Sequence, residues 1–162
     1  MNINKVRRIL ADINSIKPLG LSVEVDKLER YDVKTQWFNK TNWRIPHGGE
    51  NGIYIYSTTD DGEILYIGKG EYREKRGIGF RACAHLRKAE KKERMFPNHD
   101  WVHERKVSRE RSKAIAAITA GDFAIWTLPI DPEWFSSLVE VFLLTACKKN
   151  DKRLPIFNER IG

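Results

Sequence analysis

Two tyrosines, an arginine four residues before a histidine, a glutamate in an apolar run and a late asparagine have the most chemistry to offer in this sequence. Tyr54 closes the tripeptide Gly52-Ile53-Tyr54, and Tyr66 opens Tyr66-Ile67-Gly68. A buried phenol needs a hydrogen-bond partner, so a tyrosine pair suits a core poorly and is a good way to aim two hydroxyls at one point. Arg81 and His85 share a face if their segment is helical, or they are ordinary surface groups. Glu140 stands among Leu138, Val139, Val141, Phe142, Leu143 and Leu144. A carboxylate there is either the one solvated position or a buried group that needs a cation. Asn158, after Pro155-Ile156-Phe157, also reads as a turn residue. Lys69, directly after the second tripeptide, is a cation able to reach a phosphate.

The elements that must position these groups follow from pattern. Ser57-Thr58-Thr59-Asp60-Asp61-Gly62 separates the tripeptides and ends in Asp-Gly, a strong hairpin signal, so strands are expected at about 52–57 and 63–67. Ile3, Val6, Ile9, Leu10 and Ile13 have helical spacing, which predicts an amphipathic helix over 3–14. Val23 to Asn39 is mixed in pattern, and Trp43 to Glu50, with Pro46 and Gly48-Gly49, reads as a loop and boundary. A helix is expected at about 79–91, carrying Phe80, Cys83, Ala84 and Ala89 on one face. Asp122 to Leu128 reads as a third strand. Asp131 is the expected N-cap of a last helix, with Pro132 at its first position and its end near Cys147.

The chain has 162 residues, 41% of them hydrophobic, enough for one domain with a core and too apolar for disorder throughout. No apolar run has membrane-spanning length, and the N-terminus lacks the pattern of a secretory signal, so a cytoplasmic protein without a membrane partner is expected. Cys83 and Cys147 lack CxxC spacing and read as reduced, buried thiols. His99 and His103 are four apart, yet no cysteine pair has ligand spacing, so structural zinc is not expected. The net charge of +7 favours polyanions, nucleic acid first. Residues 87–113 concentrate that charge, with ten Lys or Arg against five acids.

Taken in order, the two tripeptides, the Arg-x-x-x-His helix start, the glutamate on a later helix and the asparagine of a terminal Pro-x-x-Asn resemble the GIY-YIG nuclease family. The match runs from Gly52 to Asn158, about two thirds of the chain. The resemblance implies an α+β fold in α/β/α layers, a small three-stranded antiparallel sheet flanked by helices, here with an N-terminal helical extension. It implies cleavage of DNA phosphodiesters assisted by Mg²⁺, with Mn²⁺ able to substitute. Tyr54 would be the favoured general base or water-orienting group and Tyr66 its support. Arg81 would bind the scissile phosphate, His85 would join the same network, Glu140 would be the metal ligand, and Asn158 would hold the wall of the site. Lys69 would enter the site or contact the DNA backbone. Phosphoryl transfer needs placed positive charge, an activated water and a metal near the leaving group. A phenol is a weak base at neutral pH, and neighbouring Arg81 and Lys69 would favour its phenolate. A site with one glutamate suits Mg²⁺, which keeps most of its waters.

Arg73 and Arg76 precede Arg81 in a stretch longer than is common in the family; Arg81 is preferred because it stands four residues before a histidine. The expected organisation is residues 1–50 as a DNA-contacting arm and 51–162 as the nuclease domain, with a basic insertion at about 87–113. Arm and insertion supply the recognition material. Arg44, Lys69, Arg73, Arg76, Arg87 and Lys88 are the DNA contacts expected, with Gln36, Trp37, Asn39, Asn42, Trp43 and His47 able to reach base edges. So compact a chain is most similar to a type II restriction endonuclease, cutting double-stranded DNA as a homodimer because one active site cuts one strand. The alternatives are a nicking or structure-specific nuclease of phage or repair type, and a DNA-binding module without activity.

Overall fold

The computed structural model describes residues 1–15, 21–33, 45–60, 62–70, 77–83, 108–158 and 161. Helix α1 (Ile3–Ile13) opens the chain and buries Ile3, Val6, Ile9, Leu10 and Ile13, the five residues whose spacing predicts it. Its N-cap is Asn2, whose side chain accepts from the Lys5 N–H. A single 3₁₀ turn (Val25–Lys27) leads into strand β1 (Glu29–Val33), followed by β2 (Gly52–Thr58) and β3 (Ile64–Gly70). Helix α2 is described over 78–83. Helix α3 (Arg109–Ala120), strand β4 (Phe123–Pro129) and helix α4 (Glu133–Asp151) complete the order.

The four strands form one antiparallel sheet in the order β1-β4-β2-β3. The fold is therefore α+β, but the sheet has one strand more than the family resemblance implies. The extra strand, β1, is an outer one, and of its residues only Val33 is buried. With Arg30 and Asp32 on its other face, Glu29–Val33 shows no apolar alternation, which is why 23–39 reads as mixed. The central strands β2 and β4 are buried almost throughout. A strand covered on both faces has this continuous apolar character.

Alternation divides those strands between two cores. Ile53, Ile55, Ile67, Ala124, Trp126 and Leu128 pack with α1 and α4 on one face. Tyr54, Tyr56, Tyr66, Phe123 and Ile125 pack with Ile78 and Ala82 of α2 and Ala114 and Ile118 of α3 on the other. Helices thus cover both faces of the sheet. Residues before position 50 share in this: α1 belongs to the first core and Val33 to the second. The N-terminus is also stitched to the β2–β3 turn, with Ile3 N–H donating to Gly62 O at 3.0 Å and Ile64 N–H to Met1 O at 2.9 Å.

Two local expectations change. Residues 109–113, read as the end of a charged insertion, instead begin α3, which is capped by Ser108 and ended by Gly121 at φ 78°. Among the side chains described there only Ala114 and Ile118 are buried, one narrow stripe that its charges hide from periodicity. The N-cap of α4 is Pro132 rather than Asp131, because Phe135 N–H donates to Pro132 O and Pro132 is still extended. Arg44, Arg73, Arg76, His85, Arg87, Lys88, His99 and His103, and residues 87–107 of the expected insertion, lie outside the described residues. Among the described residues, no helix is long and apolar enough to cross a membrane.

Candidate active site

The hairpin register brings the two tripeptides together. Tyr54 lies opposite Gly68, and Tyr56 opposite Tyr66. Alternation puts Tyr54 and Tyr56 on one face of β2, so three phenols meet there rather than two. Their ring centroids are 5.8 Å apart for Tyr54–Tyr66, 5.6 Å for Tyr54–Tyr56 and 5.7 Å for Tyr56–Tyr66. Gly68 is what makes room for them. A Cβ on Gly68 would stand 2.7 Å from Cε1 of Tyr66 and 2.8 Å from both Cζ and Oη of Tyr54. Gly52 has φ 151°, and a Cβ there would collide with the carbonyl oxygen of Leu128.

The phenols are buried, 1% exposed at Tyr54, 0% at Tyr56 and 8% at Tyr66, and they are partnered. Tyr56 donates to the carbonyl of Ala82 at 2.5 Å. Tyr54 and Tyr66 share a hydrogen bond. Burial is the largest influence on both and pushes both above the ordinary phenol value, Tyr54 further. The Arg81 guanidinium opposes the rise at each, and the Glu140 carboxylate adds to it at Tyr66. Arg81 and Glu140 therefore both act on the Tyr66 hydroxyl, although they come from helices on opposite faces of the sheet.

Several contacts fix that arrangement. The first turn of α2 is capped by a loop: Ile78 N–H donates to Glu50 O and Gly79 N–H to Gly48 O, each at 2.8 Å. The Tyr56 hydroxyl holds the same helix at Ala82, next to Arg81. Arg81 itself is exposed, free of the core. The Gly48-Gly49 stretch, read as a boundary, is thus the seat of α2. Glu140 is half-buried on α4, and Lys69 Nζ donates to Ser137 Oγ on the same helix at 2.7 Å. Asn158 closes the outer strand β3. Its Oδ1 accepts from Ile67 N–H at 2.9 Å and its Nδ2 donates to Ile67 O at 2.8 Å, so one side chain stands in for a neighbouring strand. Phe157 N–H adds a bond to Leu65 O at 3.0 Å.

Of the seven side chains expected in the site, Tyr54 and Tyr66 pair, Arg81 acts on both and Glu140 on Tyr66; Lys69 is tied to the helix of Glu140, Asn158 buttresses the strand of Tyr66, and His85 lies outside the described residues. Tyr56 was not anticipated, although its i, i+2 spacing from Tyr54 carries the signal. His47, expected among base-reading groups, lies against two carboxylates, Nδ1 2.9 Å from Glu50 and Nε2 3.1 Å from Glu29. Thr127, in register with Tyr54, has a fully buried hydroxyl without a hydrogen-bond partner.

Among the described residues no group of three or more His, Cys, Asp and Glu side chains could hold a metal. Among the described residues expected in the site, Glu140 offers one carboxylate. That set fits Mg²⁺, which takes one or two carboxylates and fills its shell with water and substrate oxygens; it does not fit zinc. Compared with protein-family models, curated proteins and solved structures, the chain matches none of them.

Proposed function

We propose that this chain is a divalent-metal-dependent endonuclease of the GIY-YIG type that cuts double-stranded DNA, acting as a type II restriction enzyme. The observation that carries the reading is the hydrogen-bonded pair Tyr54–Tyr66, with the charges of Arg81 and Glu140 both acting on Tyr66. A core has no use for a guanidinium and a carboxylate converging on a buried phenol, whereas phosphodiester hydrolysis needs a base, a cation for the phosphate and a carboxylate for a metal. The resemblance favours Tyr54 as the base. Burial lifts Tyr54 further above the ordinary phenol value than Tyr66, which favours Tyr66 in our reading. Arg81, exposed beside the phenols, would bind a non-bridging oxygen of the phosphate. Mg²⁺, held by Glu140, would stabilise charge on the leaving oxygen. Asn158 would keep β3, and with it Tyr66, in place. A double-strand cut would take two copies of the chain.

The test is incubation with plasmid and phage DNA in Mg²⁺, with the ends sequenced. Discrete fragments support restriction, while nicks or cutting confined to branched DNA would move the assignment to a structure-specific nuclease. Tyr66→Phe, Arg81→Ala and Glu140→Ala should abolish cleavage and leave DNA binding largely intact. Cleavage that survives in Glu140→Ala would refute its role. A wild-type chain that binds DNA and cuts no duplex, branched or single-stranded substrate would leave a binding module.

A further inference from the structure

β3 is an outer strand, and a lysine on an outer strand ordinarily runs its stem along the surface and leaves its ammonium in water. Lys69 does otherwise. Its Nζ crosses from β3 to α4 and donates to Ser137 Oγ at 2.7 Å. Ser137 and Glu140 are three residues apart in α4, neighbours along one flank of that helix. The hydroxyl therefore ties a flexible cation to the helix that carries the carboxylate. Ordering a long side chain costs rotamer entropy, and a hydrogen bond to a charged group is among the stronger ones that could offset it.

We propose that Ser137 is a positioning residue, whose hydroxyl draws the Lys69 ammonium onto the flank of α4 that carries Glu140, so that cation and carboxylate face the scissile phosphate together. The proposal rests on the nuclease reading. Without the hydroxyl, Lys69 keeps its charge and its attraction for DNA but loses its tie to α4. Turnover suffers and binding does not.

The test compares the wild type with Ser137→Ala, Ser137→Thr, Lys69→Met and the Lys69→Met/Ser137→Ala pair. Ser137→Ala should lower kcat roughly tenfold at unchanged KM for duplex DNA, the factor expected for one hydrogen bond to a charged group. The double variant should be no slower than Lys69→Met, because the hydroxyl acts only through the ammonium. Ser137→Thr, which keeps a hydroxyl, should restore most of the rate. Losses that multiply in the double variant, or a Ser137→Ala defect seen only as a lower Tm, would overturn the proposal. A second measurement needs no turnover: the ¹⁵N-labelled Lys69 ammonium should be protected from exchange in the wild type and lose that protection in Ser137→Ala. Equal protection in both proteins would show the hydroxyl to be idle, whatever the cleavage result. A wild type that cuts no DNA overturns the nuclease reading and this role with it, and the exchange measurement separates that failure from a misplaced lysine.

Discussion

Replacing Gly68 by alanine tests the tyrosine site through space alone. Gly68 is not among the glycines with positive φ, so an alanine there meets no backbone penalty. Its methyl carbon would stand 2.7 Å from the Tyr66 ring and 2.8 Å from Cζ and Oη of Tyr54. Neither ring can swing into water: Tyr54 is 1% exposed and packs against Tyr56 at 5.6 Å and Tyr66 at 5.8 Å. Overpacking of this kind costs roughly 1–3 kcal/mol. Separating the two phenols forfeits a hydrogen bond worth about 1 kcal/mol more. The sum is about 2–4 kcal/mol, and in a chain of this size each kcal/mol shifts Tm by about 2–4 °C. Gly68→Ala should therefore lower Tm by about 4 °C or more and change the near-ultraviolet circular dichroism of the tyrosines. Gly49→Ala is the control, since nothing lies within 4 Å of its would-be Cβ; it should be neutral or slightly stabilising. Equal Tm values for wild type and Gly68→Ala, with an unchanged tyrosine signal, would refute the claim that this glycine exists to admit the phenols.

Three other outcomes follow from the same packing. Asn158→Asp replaces the donor to Ile67 O by a carboxylate oxygen 2.8 Å from it, so at pH 7 it should destabilise by roughly 1–3 kcal/mol. The deficit should shrink near pH 4, where a protonated carboxyl can donate again, and a pH-independent deficit in denaturant unfolding would count against this account. Thr127→Val removes a buried hydroxyl that has no partner, so it should raise stability by about 1 kcal/mol, and a lower Cm in urea would contradict this. Stability should also decline at alkaline pH. Burial pushes the Cys147 thiol from 9.0 up to about 12 and raises Tyr54, Tyr56 and Tyr66 above 10.0. Folded protein holds these protons while unfolded chain releases them, so their contribution is complete below pH 9 and is lost as pH rises towards 12. A flat urea midpoint between pH 8 and 10.5 would contradict the sign.

Much of the fold is legible in the sequence because most of its elements have one period and one buried face. The helix at Ile3–Ile13 and the hairpin of β2 and β3 emerge within a residue or two to a few of their expected bounds. β1 and α3 do not, since an outer strand with one buried residue and a helix with a two-residue apolar stripe bury too little to imprint a pattern. The candidate site divides in the same way. Its side-chain types and order are a property of the sequence: two tyrosines around an Asp-Gly turn, an arginine before a histidine, a glutamate among leucines, a late asparagine. The partners are not. That Tyr56 joins the phenols, that Gly68 exists to admit Tyr54, that Ser137 takes the Lys69 ammonium and that Asn158 pairs with both backbone groups of Ile67 depends on strand register and on how helices cross the sheet. Register is set by the sum of contacts over a whole hairpin, and helix docking by two separate cores. Neither is encoded in any short run of residues, so only the folded chain decides which of these groups meet.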